Sequence, residues 1–271
     1  MIRCKPLLGT FVEITVEDEA VCSNAIEQAF DSMAQVQLLM GFHNPHSELY
    51  RINRDSHVKP VRIHPWTAQV LSTAQAVHRE SIGIFNCGVG QRLVEAGLLP
   101  KHCHKEHVFG GIEHIQFMEP HLVHSDLPLC LDLGGIAKGF AVDVAVQTLQ
   151  AQGIEQGSVN AGGDFRVFGN QAQAIHIRNP AQPHELFHLG ALQEGAIATS
   201  SLYFARRASQ SLSYMVHPSS QQLIDFSPSY SVIAKECIYA DALTKVIAIS
   251  GNTTHPCLAK FSAQAIAVMA Q

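Results

Sequence analysis

Residues 8–16, LGTFVEITV, alternate apolar and polar positions with a period of two, as a half-buried strand does. The period then lengthens. Over residues 20–40 the apolar positions, Ala25, Phe30, Met33 and Leu38 among them, recur at helical spacing and predict an amphipathic helix. A polar stretch, HNPHSELYRINRDSH, predicts a loop and a short helix capped by Ser47, and Pro65 opens a further helix over 65–82. The run LCLDLGGIAKGFAVDVAVQTL (129–149) changes period at its glycines. Leu129, Leu131 and Leu133 alternate as a strand, whereas Ile136, Phe140, Val144 and Leu149 keep roughly helical spacing. A strand is expected in GSVNAGGDFRVFG (157–169), a second in AIHIRNP and a loop at AIATSSLYF. After SYMVHP come a strand, YSVIAKE, a helix, ADALTKVIAIS, and a short tail. Strands and helices alternate without βαβ regularity, so the expected fold class is α+β, with mixed, largely antiparallel sheets and flanking helices. No repeat or linker interrupts the pattern. Residues 1–271 are read as one domain, which could divide into two subdomains around a cleft.

Composition narrows the function classes. Hydrophobic residues make up 46% and charged ones 15%, a globular balance. A formal net charge of -5 leaves no basic face and argues against general nucleic-acid binding. No run reaches the ~18 apolar residues of a membrane span. The start, MIRCKPLLGTFVEITV, has no long apolar core followed by a small-residue cleavage site, so no signal peptide is read there. The cysteines at 4, 22, 87, 103, 130, 237 and 257 are odd in number, scattered and without a CxxC pair, which suits reduced thiols; the cytoplasm is the expected location.

Three places carry candidate chemistry. A strand-to-helix junction at Gly134-Gly135 leaves backbone N–H groups without partners where the helix dipole favours negative charge, so a phosphate or carboxylate could dock there, with Lys138 adding a point charge. The alternative is a plain connection with Asp132 as a local cap and Lys138 on a solvated face; spacing alone does not separate the two. Gly88-Val89-Gly90 suggests a dinucleotide fingerprint, but Leu93 stands where the third glycine belongs and no βαβ unit surrounds it. His102, Cys103, His104 and His107, in a stretch of six histidines between 101 and 124, lack a familiar zinc spacing and read as a solvated loop.

Taken in order, LGT near the start, SELYRIN (47–53), DLGGIAKGFAVD (132–143), VNAGGDFRVFG (159–169), ATSS (198–201) and ADAL (240–243) resemble the ApbE family, the FAD:protein FMN transferases. The resemblance covers nearly the whole chain. It implies a mixed α+β fold with a cleft for FAD, a magnesium ion at the pyrophosphate, and transfer of FMN onto a threonine of an acceptor flavoprotein subunit. Gly134 and Gly135 would let the backbone approach the adenosine diphosphate part of FAD, Lys138 would stabilise its charge, and Gly162 and Gly163 would do likewise on a neighbouring strand end. Thr199 and Ser200 would offer hydroxyls. Ser47 and Glu48 would help form the flavin pocket, and His43 stands about where relatives carry a tyrosine against the flavin. Without the resemblance, Gly162-Gly163 is a tight turn, Thr199-Ser200 a polar turn, and Ser47-Glu48 a helix start.

The chain also departs from the family's pattern. YMVHP (214–218) replaces a His-Ile-Ile-Asp-Pro type stretch, placing Tyr214 at the histidine and His217 at the aspartate; of the two, His217 is the better candidate base for the acceptor hydroxyl. FNCGVG (85–90) replaces Phe-Asp-x-Thr-Val-Gly, with Asn86 for the acid and Gly88 for the threonine. The metal would fall to Asp241 and Gly135, but Lys245 replaces the threonine that normally joins them, which points to a site without magnesium. Two functions remain open: a flavin transferase with altered metal and base positions, or a catalytically degenerate flavin- or nucleotide-binding protein or scaffold.

Overall fold

The computed structural model describes residues 1–17, 22–101, 108–182, 184–202 and 213–269. In chain order the elements are β1 (Ile2–Leu7), β2 (Thr10–Val16), α1 (Cys22–Met40), α2 (Glu48–Asp55), β3 (Val61–Arg62), α3 (Pro65–Glu80) and α4 (Gly90–Glu95). They continue through β4 (Ile115–Glu119), β5 (Leu122–Ser125), α5 (Ala137–Ala151), β6 (Gly157–Ala161), β7 (Asp164–Phe168), β8 (Gln173–Arg178) and β9 (Leu186–Leu192). The chain closes with β10 (Gly195–Ser200), β11 (Ser229–Ala234), α6 (Cys237–Ser250), α7 (Cys257–Lys260) and β12 (Gln264–Val268).

Seven strands form one sheet in the order β1-β2-β6-β7-β10-β11-β12, each paired antiparallel to its neighbour. Val12, Ile14 and Val16 point inward while Phe11 stays largely exposed, so the period-two pattern of β2 is a sheet with one face on the core. On that core side α5 packs against β6 and β7, α6 packs against β10 and β11, and α1 packs across α5. Sandwiched in this way, α5 is buried on most sides from Gly139 to Val146, which is why that stretch is apolar beyond a single stripe, its one charged residue being Asp143. The β8–β9 ribbon covers part of the other face through a smaller cluster of Ile175, Ile177 and Ile197. No helix among the described residues is long and apolar enough to cross a membrane.

The α+β expectation holds, and several local expectations need correction. Residues 129–133 are extended but lie in no sheet. Cys130, between the leucines, is as buried as they are; in place of a ladder, Leu129 forms a single bridge with Gly110, Cys130 O accepts from Gly90 N at 3.0 Å, Asp132 N donates to Cys87 O at 2.8 Å, and Asn53 accepts from Leu131 N at 2.8 Å and donates to Leu131 O at 2.9 Å. The expected single strand over 157–169 is two strands, β6 and β7, joined at Gly162-Gly163. The φ angles there are 65° and 105°, the doubly left-handed turn that suits a two-residue hairpin. A side chain at 162 would also press on Thr10 Cβ at 3.0 Å. Residues 195–200, expected as a loop, are the buried strand β10; its alanines leave room for α6 to lie against it. The expectations also omit β1, β9 and the edge strand β12, and Leu38 faces solvent.

Candidate functional site

Where the β6–β7 turn and the carboxyl end of β10 approach the start of α5, the surface opens into a cleft of about 360 Å³. One wall is Gly134, Gly135 and Lys138, from the turn that leads into α5; opposite stand Gly162, Thr199 and Ser200. Asn86, Tyr214 and Lys245 complete the polar rim, and Phe85, Leu93, Leu99, Met215 and Ile249 give an apolar lining. A second hollow of about 670 Å³, between the β1–β2 turn and the end of α1, contains His43 and shares Leu99, Asp132, Gly134 and Lys138 with the first. Two lobes therefore meet at a charged waist.

That waist rests on four alternating charges. Lys138 pairs with Asp164, which directly follows the Gly162-Gly163 turn, and Lys245 pairs with Asp241 one helical turn behind it. Both carboxylates are almost fully buried, whereas the lysine side chains remain 33% and 18% exposed. Burial alone would lower the Lys138 pKa, but Asp164 and Asp241 outweigh it and push it upward, so the ammonium stays charged. Burial and the neighbouring Asp241 charge raise Asp164 above the usual carboxylate range, against the pull of Lys138 and Lys245. For Asp241 burial is again the largest influence, yet Lys245 and Lys138 together hold its pKa below that range. Asp132, at the junction of the lobes, is raised by burial against a hydrogen bond from Gly134 N and the nearby His43.

Close helix packing sets this geometry. Gly139 N donates to Asp241 Oδ2 at 3.0 Å, and α5 crosses α6 so tightly there that a side chain at 139 would lie 2.7 Å from Asp241 Cβ. Asp143, one turn further along α5, accepts from Cys237 N and Ile238 N at 2.8 Å each and pairs with Arg166. It thus caps α6 from a distant segment and ties that helix to β7.

The cleft gathers Gly134, Gly135, Lys138, Gly162, Thr199, Ser200 and Tyr214, and His43 joins them in the second lobe. Gly163 lies instead in an adjoining groove along the sheet. Ser47 and Glu48 line neither lobe: Ser47 caps α2 by accepting from Tyr50 N at 3.0 Å, and Glu48 ties α2 to α3 by accepting from His64 N at 2.8 Å and Thr67 Oγ1 at 2.7 Å. The helix-start alternative describes them. His217 is set in a turn, its Nδ1 accepting from Ser220 N at 3.4 Å, and it too is outside the lining, although Tyr214, Met215 and Val216 are in it. Thr199 and Ser200 are strand residues, hydrogen-bonded to Ser231 Oγ and Thr244 Oγ1 at 2.8 Å each. Asn86 accepts from Gly88 N and Ile112 N, and a side chain at Gly88 would meet Gly111 Cα at 2.5 Å, so this loop cannot hold a threonine there. Asp164 was missed from sequence; its place directly after a glycine turn was the available signal. The histidine-rich candidates His102, Cys103, His104 and His107 lie outside the described residues.

Of the two residues that the resemblance assigns to magnesium, Gly135 and Asp241, the carboxylate does not fit the ion, because Lys245 covers it. Asp241 is fully buried, with one oxygen paired to Lys245 and the other accepting from Gly139 N. Thr244 donates to Asp241 O at 2.7 Å, shares a 2.8 Å bond with Ser200 and accepts from Lys245 Nζ at 3.1 Å, which leaves its hydroxyl no lone pair for a metal. No group of three or more His, Cys, Asp or Glu side chains among the described residues could hold a metal ion.

Comparison with known proteins agrees with this architecture. The model of the ApbE family matches residues 8–270. An FAD:protein FMN transferase of Vibrio cholerae is 27% identical over 272 residues, spanning 91% of this chain and 80% of that protein. One of Chlamydia trachomatis is 29% identical over 244 residues, spanning 82% and 73%. Among solved structures, the flavin transferase ApbE from Vibrio cholerae superposes with a TM-score of 0.84 at 25% identity, covering 99% of this chain and 93% of that one. The apo form of the Pseudomonas stutzeri flavinyl transferase ApbE shares the fold with a TM-score of 0.85 at 18% identity, covering 100% and 91%.

Proposed function

This chain belongs to the ApbE family, and on that premise we propose that it is an FAD:protein FMN transferase, moving the FMN half of FAD onto a threonine of an acceptor flavoprotein. The observation that carries the proposal is the two-lobed cleft, whose lobes join at Gly134, Lys138 and Asp132, with Gly162 and Lys245 lining the first lobe beside that junction. An extended dinucleotide fits that shape, with its diphosphate at the waist and a ring system in each apolar lobe; the flavin takes the second lobe, a reading supported by His43, which lines it where the resemblance puts an aromatic side chain against the flavin. In the reaction the threonine oxygen attacks the flavin-side phosphorus, the phosphorus–oxygen bond to AMP breaks, and AMP leaves with the bridging oxygen. Lys138 and Lys245 stabilise the negative charge that develops there. The hydroxyl proton passes to the 214–218 segment, where Tyr214 lines the cleft and His217 is the candidate base. No step runs through a metal. Free thiols at Cys4, Cys87, Cys130, Cys237 and Cys257 support a reducing, cytoplasmic setting.

Incubation with FAD and a threonine-bearing flavoprotein acceptor, followed by intact mass, tests the proposal. A gain of one FMN group on the acceptor with matching release of AMP is expected. FAD binding with an unchanged acceptor mass would leave the flavin- or nucleotide-binding alternative.

A further inference from the structure

We propose that Lys245 is a built-in counter-ion that lets this cleft bind the diphosphate of FAD without any divalent cation. The inference rests on the FAD reading above. Lys245 leaves α6 one turn after Asp241, and its chain runs over Gly135, where a side chain would lie 3.4 Å from Lys245 Cε and 3.5 Å from Cγ. Its ammonium therefore occupies the space among Asp241, Gly135 and the cleft, which it also lines. With Asp241 wholly buried and Lys245 only 18% exposed, this is not a solvated surface pair.

Charge bookkeeping separates this arrangement from a metal site. The two ion pairs Asp164–Lys138 and Asp241–Lys245 sum to zero and expose their cations, and the other carboxylate at the junction, Asp132, has its pKa raised by burial. With a neutral residue at 245 the cluster would carry one net negative charge, and an added divalent ion would be needed to reverse it. An ammonium has three donors; Asp241 and Thr244 take two, which leaves the third for a phosphate oxygen. The same ammonium repels a divalent cation and covers the one carboxylate that the ion would need. A single fixed charge with no expandable coordination holds the ground-state diphosphate better than it stabilises the spreading charge of phosphoryl transfer. Metal-free binding with slow transfer is the consequence.

The test is equilibrium titration of FAD, followed by flavin fluorescence, with the whole chain in EDTA or in magnesium. The dissociation constant should change by less than about twofold between the two conditions. For Lys245→Thr, affinity in EDTA should fall by about tenfold or more and return when magnesium is added. Circular dichroism confirms that the variant is folded; if it is not, the comparison on the unmodified chain still decides. Tenfold tighter FAD binding in magnesium by the unmodified chain would overturn the inference and leave the flavin reading intact, as would a folded Lys245→Thr indifferent to both conditions. No FAD binding by the unmodified chain under either condition would overturn the flavin reading and the inference with it.

Discussion

Replacing Gly139 by alanine tests the packing that brings the two lysines to one cleft. In an ordinary helix this substitution is stabilising, by about 1 kcal/mol, because alanine restricts the unfolded chain and propagates the helix better. Here the added methyl would meet Asp241 Cβ and the Cys237 carbonyl carbon at 2.7 Å, together with the Cys237 oxygen. Two of those atoms are backbone and cannot swing away. Restoring an ordinary separation of about 3.5 Å requires α5 and α6 to part by roughly 1 Å. Such overpacking costs about 3 kcal/mol when no rotamer relieves it, so the net loss is about 2 kcal/mol after the helical gain. For a chain of this size that lowers the thermal midpoint by about 3–4 °C. The same separation lengthens the bond from Gly139 N to Asp241 Oδ2, now 3.0 Å, and displaces Lys245, so FAD affinity should fall as well. Differential scanning calorimetry and FAD titration on Gly139→Ala measure both effects. An unchanged or raised midpoint would refute the reasoning, because it would show that α5 and α6 are not locked together at this point.

Three further outcomes are expected. Asp143 is raised to about 6 by burial, against the Arg166 charge and the two amides that it caps, from an ordinary value of 3.8. The native state therefore holds this proton more tightly than the unfolded chain. The stability due to that proton is present below pH 3.8 and is lost as pH rises toward 6, by about 3 kcal/mol in all; relative to Asp143→Asn, the unmodified chain should lose stability across that window in denaturant titrations. Lys138→Met strands Asp164 in the interior and should cost about 3–5 kcal/mol. Adding Asp164→Asn should recover most of the stability but not the FAD affinity, which denaturant and flavin titrations read separately. His217→Ala should lower FMN transfer strongly, measured by intact mass, with FAD affinity unchanged, since His217 stands outside the lining of the cleft; undiminished transfer would remove it as the base.

Features that depend on near neighbours in sequence were legible. The alternation of β2, the Ser47 cap and the Pro65 start all appear where local pattern places them, because burial on one face and an end-of-helix donor are local requirements. The cleft residues of DLGGIAKG and of ATSS were legible through resemblance. Local chemistry alone left Gly134-Gly135 and Lys138 open between a ligand site and a plain turn. Misreadings arose where distant chain decides. Leu129–Leu133 alternates like a strand, yet its partners are scattered: Gly110, Gly90 and Cys87 through their backbones and Asn53 through its side chain. The small residues of β10 read as a loop, although they are small because α6 lies on them. The pairing of Lys138 with Asp164 spans 26 positions, and the capping of α6 by Asp143 spans 94; no periodicity reports either. Asn86 and Gly88 stand out in sequence only as replacements for an acid and a threonine; the crowding of Gly88 against Gly111, from a distant segment, leaves no room for a side chain there.

A crystal structure of this chain with FAD, grown in EDTA, tests the central claim most directly. The diphosphate is expected at the junction of the two lobes, its oxygens within about 3 Å of Lys138 Nζ and Lys245 Nζ and beside the Gly134-Gly135 turn, with one ring system in each lobe. FAD bound elsewhere, or its diphosphate turned away from both lysines, would contradict it.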